Sequence, residues 1–159
     1  LVSRTVKPTE PAVVTVTQFH GGDAYNVIPE SVVLRGTVRC FSQGVRATLE
    51  ARMKQLADGL CAAHGCRLEW WYAQRFPPTV NSAQETAIAA RAAAAVVGEA
   101  RVDTAVEPVT GSEDFGYMLE AKPGCYAFIG NGPGAGGCLL HSPTYDFNDD
   151  VIPIGASYW

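Results

Sequence analysis

The chain has 159 residues, of which 47% are hydrophobic, enough to bury a core in one ordinary domain or two small ones. Its formal net charge of -4, with 12 scattered Lys and Arg, leaves no cationic cluster for a nucleic-acid surface, and no apolar run is long enough to cross a bilayer as a helix. Five cysteines without a C-x-x-C spacing argue against a zinc knuckle or a disulfide framework, so reduced thiols in the cytoplasm are the simplest reading.

The opening Leu1-Val-Ser-Arg4 reads as the end of a helix, broken by Pro8 and Pro11 before an extended run from Ala12 to Phe19. There Val14 and Val16 alternate with Thr15 and Thr17, the period of a half-buried strand. After the His20-Gly21-Gly22-Asp23 turn, a second run from Val32 to Phe41 puts Leu34, Val38 and Cys40 on one face, and the two strands are expected to pair antiparallel. Ser42 then caps a helix in which Val45, Leu49, Met53, Leu56 and Leu60 line one face, with Gly65 at its C-terminal end. Cys66 to Ala73 is strand-like again.

Phe76-Pro77-Pro78-Thr79 reads as a linker. Behind it, Ser82-Ala-Gln-Glu85 has the form of a capping box before an Ala-rich helix ending at Gly98. An extended Val102 to Val106, a short helix across Glu113 to Leu119, a buried strand Cys125 to Ile129, a Gly-rich loop and a polar segment Leu140 to Asp150 complete the expected order. A last helix begins in Asp149-Asp150-Val151-Ile152-Pro153, with acids and Pro in its first turn. Both ends read as cut, with the native start expected upstream of Leu1.

The densest polar cluster is Leu140-His141-Ser142-Pro143-Thr144-Tyr145-Asp146-Phe147-Asn148-Asp149. A neutral imidazole is a good ligand for zinc or manganese, and neighbouring carboxylates can orient its second nitrogen. A lone histidine among loop acids is also a common surface turn. His141 with its Ser-Pro-x-Tyr-Asp-Phe-Asn-Asp string is preceded by Gly111-Ser-Glu-Asp-Phe115 and by Gly21-Gly22-x-Ala24-x-Asn26-Val27-Ile28-Pro29. With Gly36-Thr-Val-Arg39 and Pro77-Pro-Thr-Val-Asn81 between them, the ordered set resembles the zinc-peptidase-like amidohydrolase family of hippurate hydrolase, N-acyl-amino-acid amidohydrolases and auxin-conjugate hydrolases.

That resemblance covers nearly the whole chain. It implies an α/β fold: a ferredoxin-like α+β lid and dimerisation domain in residues 1–75, lacking its N-terminal part, then the C-terminal part of a zinc-exopeptidase-like catalytic domain in residues 76–159. It implies two divalent metal ions, zinc or manganese, with His141 as one ligand and the other ligands and the base upstream, so that no catalytic residue lies in this chain. Asn26 and Arg39 match lid positions that meet the substrate carboxylate or developing oxyanion, and the Gly130 to Gly137 loop would border the cleft. An Arg fork suits a carboxylate and an amide suits an oxyanion, although such an Arg also reads as an edge residue and such an Asn as a turn former.

The implied activity is hydrolysis of the amide bond of N-acyl amino acids or related conjugates, in a homodimer joined through the lid. The alternative is a non-catalytic dimerisation or binding module derived from the lid. Glu113 and Asp114 fit a pocket wall or a helix N-terminus rather than a ligand pair, His20 a turn, and His64 a helix C-terminus. The G-x-G-x-x-G spacing at Gly132 precedes no helix pattern, and the chain has no G-x-S-x-G elbow to go with His20-Gly21-Gly22.

Overall fold

The computed structural model describes residues 1–133, 137 and 139–159. The chain divides into two compact units, one of Leu1–Pro78 with Val109–Asp114 and one of Thr79–Pro108 with Phe115–Trp159.

In the first unit a four-residue helix α1 (Val2–Thr5) leads into strand β1 (Ala12–His20), which pairs antiparallel with β2 (Val33–Cys40). Ala12 faces Cys40 and Val14 faces Val38, so the apolar alternation read from the sequence lands on one face of the ladder. The register slips between Val16 and Gln18, leaving Thr17 as a bulge whose hydroxyl donates to the Arg35 carbonyl at 3.4 Å. Gly36 is required where it stands, because a Cβ there would strike the Thr15 carbonyl across the ladder.

Helix α2 (Gln43–Ala63) starts at Ser42, whose hydroxyl accepts from the Val45 amide at 3.2 Å. It ends in a left-handed Gly65 with φ of 67°, where Gly65 N–H donates to Ala62 O and Cys66 N–H donates to Cys61 O, the double bond pattern of a Schellman cap. Val45 and the fully buried Leu49 of α2 form the core with Val6, packed against Val2, Ala12, Val14, Val38 and Cys40. Leu56 and Leu60, expected on the same face, are exposed, as are Val16 and Leu34. The core therefore covers only the part of the hairpin remote from its loop.

Cys66 to Ala73 departs from expectation. It is extended, with Leu68, Trp70 and Tyr72 half-buried and alternating with exposed neighbours, and the Trp70 and Tyr72 rings stack at 6.4 Å. It joins no ladder among the described residues, whose sheet has two strands. Side chains of α2 hold the next stretch instead: Gln74 donates to Glu50 at 2.9 Å, and Arg46 donates to the Phe76 carbonyl at 3.3 Å.

The second unit contains α3 (Ala83–Val97), a 3-10 turn (Glu99–Arg101), α4 (Phe115–Ala121) and, after a 3-10 turn at Asp149–Val151, α5 (Ile152–Tyr158). The Ser82 pattern marks the start of α3 correctly, yet its hydroxyl makes no cap. It accepts from the Gly124 N–H at 3.2 Å, while Ser82 N–H donates to Gly124 O at 2.9 Å. The expected strands at Val102–Val106 and Cys125–Ile129 do not form. The first is broken by an Asp103 carboxylate that accepts from the Ala105 amide at 2.8 Å. The second is exposed at Phe128 and Ile129, and its backbone is paired by a side chain: Asn81 Oδ1 accepts from Tyr126 N–H and Asn81 Nδ2 donates to Tyr126 O, both at 2.8 Å.

Two outcomes follow from the first unit. Leu49→Ala removes the one fully buried large side chain and should cost about 2–5 kcal/mol, read as a lower urea midpoint at unchanged slope. Burial raises the Tyr72 phenol pKa above its ordinary 10.0, assisted by Glu50 and Cys40 and opposed by Arg46. Because the folded state keeps this proton longer than the unfolded chain, the stabilisation is complete below pH 10.0 and lost as pH rises through the folded value. Urea midpoints of the wild type and Tyr72→Phe should therefore differ by a constant amount up to about pH 10.0, with the wild type losing ground above it.

Candidate functional site

His141 stands in the polar segment of the second unit, in a turn closed by the Ser142 N–H donating to the Leu139 carbonyl at 3.1 Å. Its φ is 67°, which makes it the one non-glycine residue with positive φ among the described residues. An L side chain in that region crowds the following carbonyl at a cost of roughly 1–2 kcal/mol, and such strained positions gather at functional sites. A second turn follows at once, with Tyr145 N–H donating to Ser142 O at 3.1 Å and the Ser142 and Thr144 hydroxyls hydrogen-bonded to each other at 3.0 Å. The His141 side chain is exposed.

Two asparagines anchor the downstream end of this segment. Asn131 donates through Nδ2 to the Asp146 carbonyl at 3.0 Å and accepts the Asn148 N–H on Oδ1 at 2.9 Å. Asn148 answers by donating Nδ2 to the Asn131 carbonyl at 3.1 Å, and its Oδ1 caps the last helical stretch by accepting the Asp150 N–H at 3.1 Å. Gly132, at φ of 79°, passes so close that a Cβ would lie 3.2 Å from Asn148 Nδ2. Sequence reasoning passed over Asn131. Its signal was an Asn between two glycines, which reads first as a turn.

The first unit carries the other two expected positions. Asn26 is exposed in the hairpin loop, at the third place of a turn in which Val27 N–H donates to Ala24 O at 3.3 Å. The loop shapes an open cavity of about 550 Å³ whose polar lining includes His20, Asp23, Glu30 and Ser31 but not Asn26. Arg39, half-buried near the end of β2, donates through Nη1 to the Thr110 carbonyl at 2.6 Å and to the Ser112 hydroxyl at 3.0 Å. It thereby holds the segment Gly111-Ser112-Glu113-Asp114, a connection over seventy residues of sequence that no local pattern announces.

Among the described residues no three His, Cys, Asp or Glu side chains come together to hold a metal ion. His141 therefore offers a single imidazole donor, and the Gly-rich loop expected to border the cleft lies partly outside the described residues, at positions 134–136. Cys138 lies outside them too.

The YXEP protein of Bacillus subtilis, described as a dinuclear metal binding peptidase from the M20 family, superposes with a TM-score of 0.76 at 29% identity over 92% of this chain and 39% of its own. The class is thus a mixed α/β protein with the fold of M20 peptidases. The profile of Peptidase family M20/M25/M40 matches residues 5–159, and the chain belongs to that family. IAA-amino acid hydrolase ILR1-like 2 of Arabidopsis thaliana is 37% identical over 99% of this chain and 36% of its own length. Hippurate hydrolase of Campylobacter jejuni is 30% identical over 100% of this chain and 41% of its own length. The chain therefore spans about two fifths of the length of these relatives.

The strain at His141 is separable from its chemistry. His141→Gly and His141→Ala both remove the imidazole, but only glycine relieves the left-handed backbone. The glycine variant should be the more stable of the two by about 1 kcal/mol in chemical unfolding. Equal stability, or a more stable alanine variant, would show that the turn imposes no strain.

Proposed function

We propose that the whole protein is a metal-dependent amidohydrolase that cleaves the amide bond of N-acyl amino acids, hippurate-like, or of related conjugates. The family and the named activities of its relatives support the reaction class. The observation that carries the assignment of His141 is its left-handed backbone in an exposed polar turn braced by Asn131 and Asn148, a conformation kept at a cost to stability.

In this reading His141 is one ligand of a pair of divalent metal ions, zinc or manganese, and the remaining ligands and the base come from sequence upstream. Such ions, when bound, lower the pKa of a bound water and polarise a carbonyl. What this chain contributes is positional. The turn at Leu139–Ser142 presents the imidazole. Asn26 donates its amide to the substrate, and Arg39 holds the carboxylate with a guanidinium already steadied through Nη1 by Thr110 and Ser112.

Residues 1–75 are the lid of this enzyme, a ferredoxin-like sandwich missing its first elements. The order helix, β1, β2, α2 and then the 66–73 segment matches the last five elements of a β-α-β-β-α-β unit, with only the end of the first helix present. The ladderless 66–73 segment and the open edge of β2 are both accounted for if the first strand lies between them. The lid also joins two subunits through its exposed strand edge, and unpaired thiols at Cys40, Cys61, Cys66 and Cys125 suit a cytoplasmic enzyme. Residues 76–159 are then the end of the catalytic domain.

The test is metal titration of the metal-free full-length protein with zinc and with manganese, followed by hydrolysis of hippurate and by light scattering for the dimer. Two equivalents of metal and hydrolysis are expected, with His141→Ala losing at least one equivalent and on the order of 100-fold or more in activity. A dimer that takes up no metal and cleaves nothing would instead favour the non-catalytic lid-derived module.

A further inference from the structure

The end of α2 joins the backbones of two cysteines. In a Schellman cap, the residue three positions inside the helix end and the second residue beyond it approach each other, and their side chains usually make an apolar contact. Here those two residues are Cys61 and Cys66. Cys66 N–H donates to Cys61 O at 2.8 Å, and Gly65 at φ of 67° makes the reversal that permits it. A disulfide needs Cα atoms roughly 4.4–6.8 Å apart, and the backbone bond between the two residues draws them towards that range. Both cysteines are free thiols, Cys61 half-buried and Cys66 exposed, and the Cys66 Sγ leans back over the helix end, 3.7 Å from the His64 carbonyl.

We infer that Cys61 and Cys66 form a dithiol modification site that reacts with low-molecular-weight disulfides such as glutathione disulfide and closes to an intramolecular disulfide. The exposed Cys66 thiolate attacks one sulfur of the reagent, forming a mixed disulfide and expelling one thiolate. The Cys61 thiolate then attacks Cys66 Sγ, and the second reagent thiolate leaves. Two electrons pass from the dithiol to one reagent disulfide, which becomes two thiols and takes up the two protons. The closed form would pin the last turn of α2 to the start of the 66–73 segment. This site does not depend on the hydrolytic reading and uses neither Asn26, Arg39 nor His141.

Both cysteines fall in one tryptic peptide, between Lys54 and Arg67. The folded full-length protein is equilibrated with mixtures of reduced and oxidised glutathione, its free thiols are blocked with an alkylating reagent, and that peptide is weighed. The expected product is an unalkylated peptide lighter by two hydrogens, formed with a constant on the order of tenfold larger than in the urea-unfolded chain. Gly65→Ala, which strains the cap but leaves both thiols, should lower that constant towards the unfolded value, and Cys61→Ser should trap a glutathione adduct on Cys66. Two separate adducts in the wild type, or equal closure in urea and in the folded state, would overturn the proposal.

Discussion

Leu49 is the contact on which the first unit depends. Among the described residues it is the one large side chain removed completely from water, and it is buried between a two-stranded sheet and a helix. A hairpin alone is marginal in water and gains independent stability only by covering an apolar face. Here the covered face is narrow: Ala12, Val14, Val38 and Cys40 on the sheet, Val45 and Leu49 on the helix. Everything the unit presents, from the hairpin loop with Asn26 to the Arg39 guanidinium, is cantilevered from that patch. The clash a Cβ at Gly36 would meet and the bulge at Thr17 show how closely the two strands must run to keep the register.

The second unit is organised by a different economy. Its described residues include no fully buried large apolar side chain, and Leu139 and Trp159 are 84% and 95% exposed. Order comes from polar side chains that take the place of backbone ladders. Asn81 pairs with both main-chain groups of Tyr126, Ser82 with Gly124, and Asn131 with Asn148 in both directions. An amide side chain carries the same donor and acceptor pair as a peptide group, so it can satisfy an extended segment where no neighbouring strand is at hand. These contacts tie Asn131 to Asn148, and His141 lies between them in sequence, in a strained turn.

Arg39 and His141 are constrained in two different ways. Arg39 is steadied by hydrogen bonds to Thr110 and Ser112, which limit the orientations of its fork. His141 is fixed by its backbone, since a left-handed residue inside a hydrogen-bonded turn has few alternatives. One constraint acts on a side chain and the other on the backbone.

Much of this was legible in the residues. The period-two alternation located β1 and β2 to within a residue, the spacing of Val45 and Leu49 located α2, and Ser42 and Gly65 marked its caps, because these signals act over four or five residues and need no partner elsewhere. The ordered motifs around Asn26, Gly111 and His141 placed the chain in its family. Cys66–Ala73 and Cys125–Ile129 failed as strands because a strand exists only by pairing, and local composition does not say whether a partner is present. Ser82 looked like a cap and was claimed by Gly124, forty-two residues away. The sequence by itself thus determined the family, the paired strands and most of the helices with their ends. Only the tertiary structure decided which polar groups were already engaged and which backbone was strained, since those depend on contacts between segments far apart in the chain.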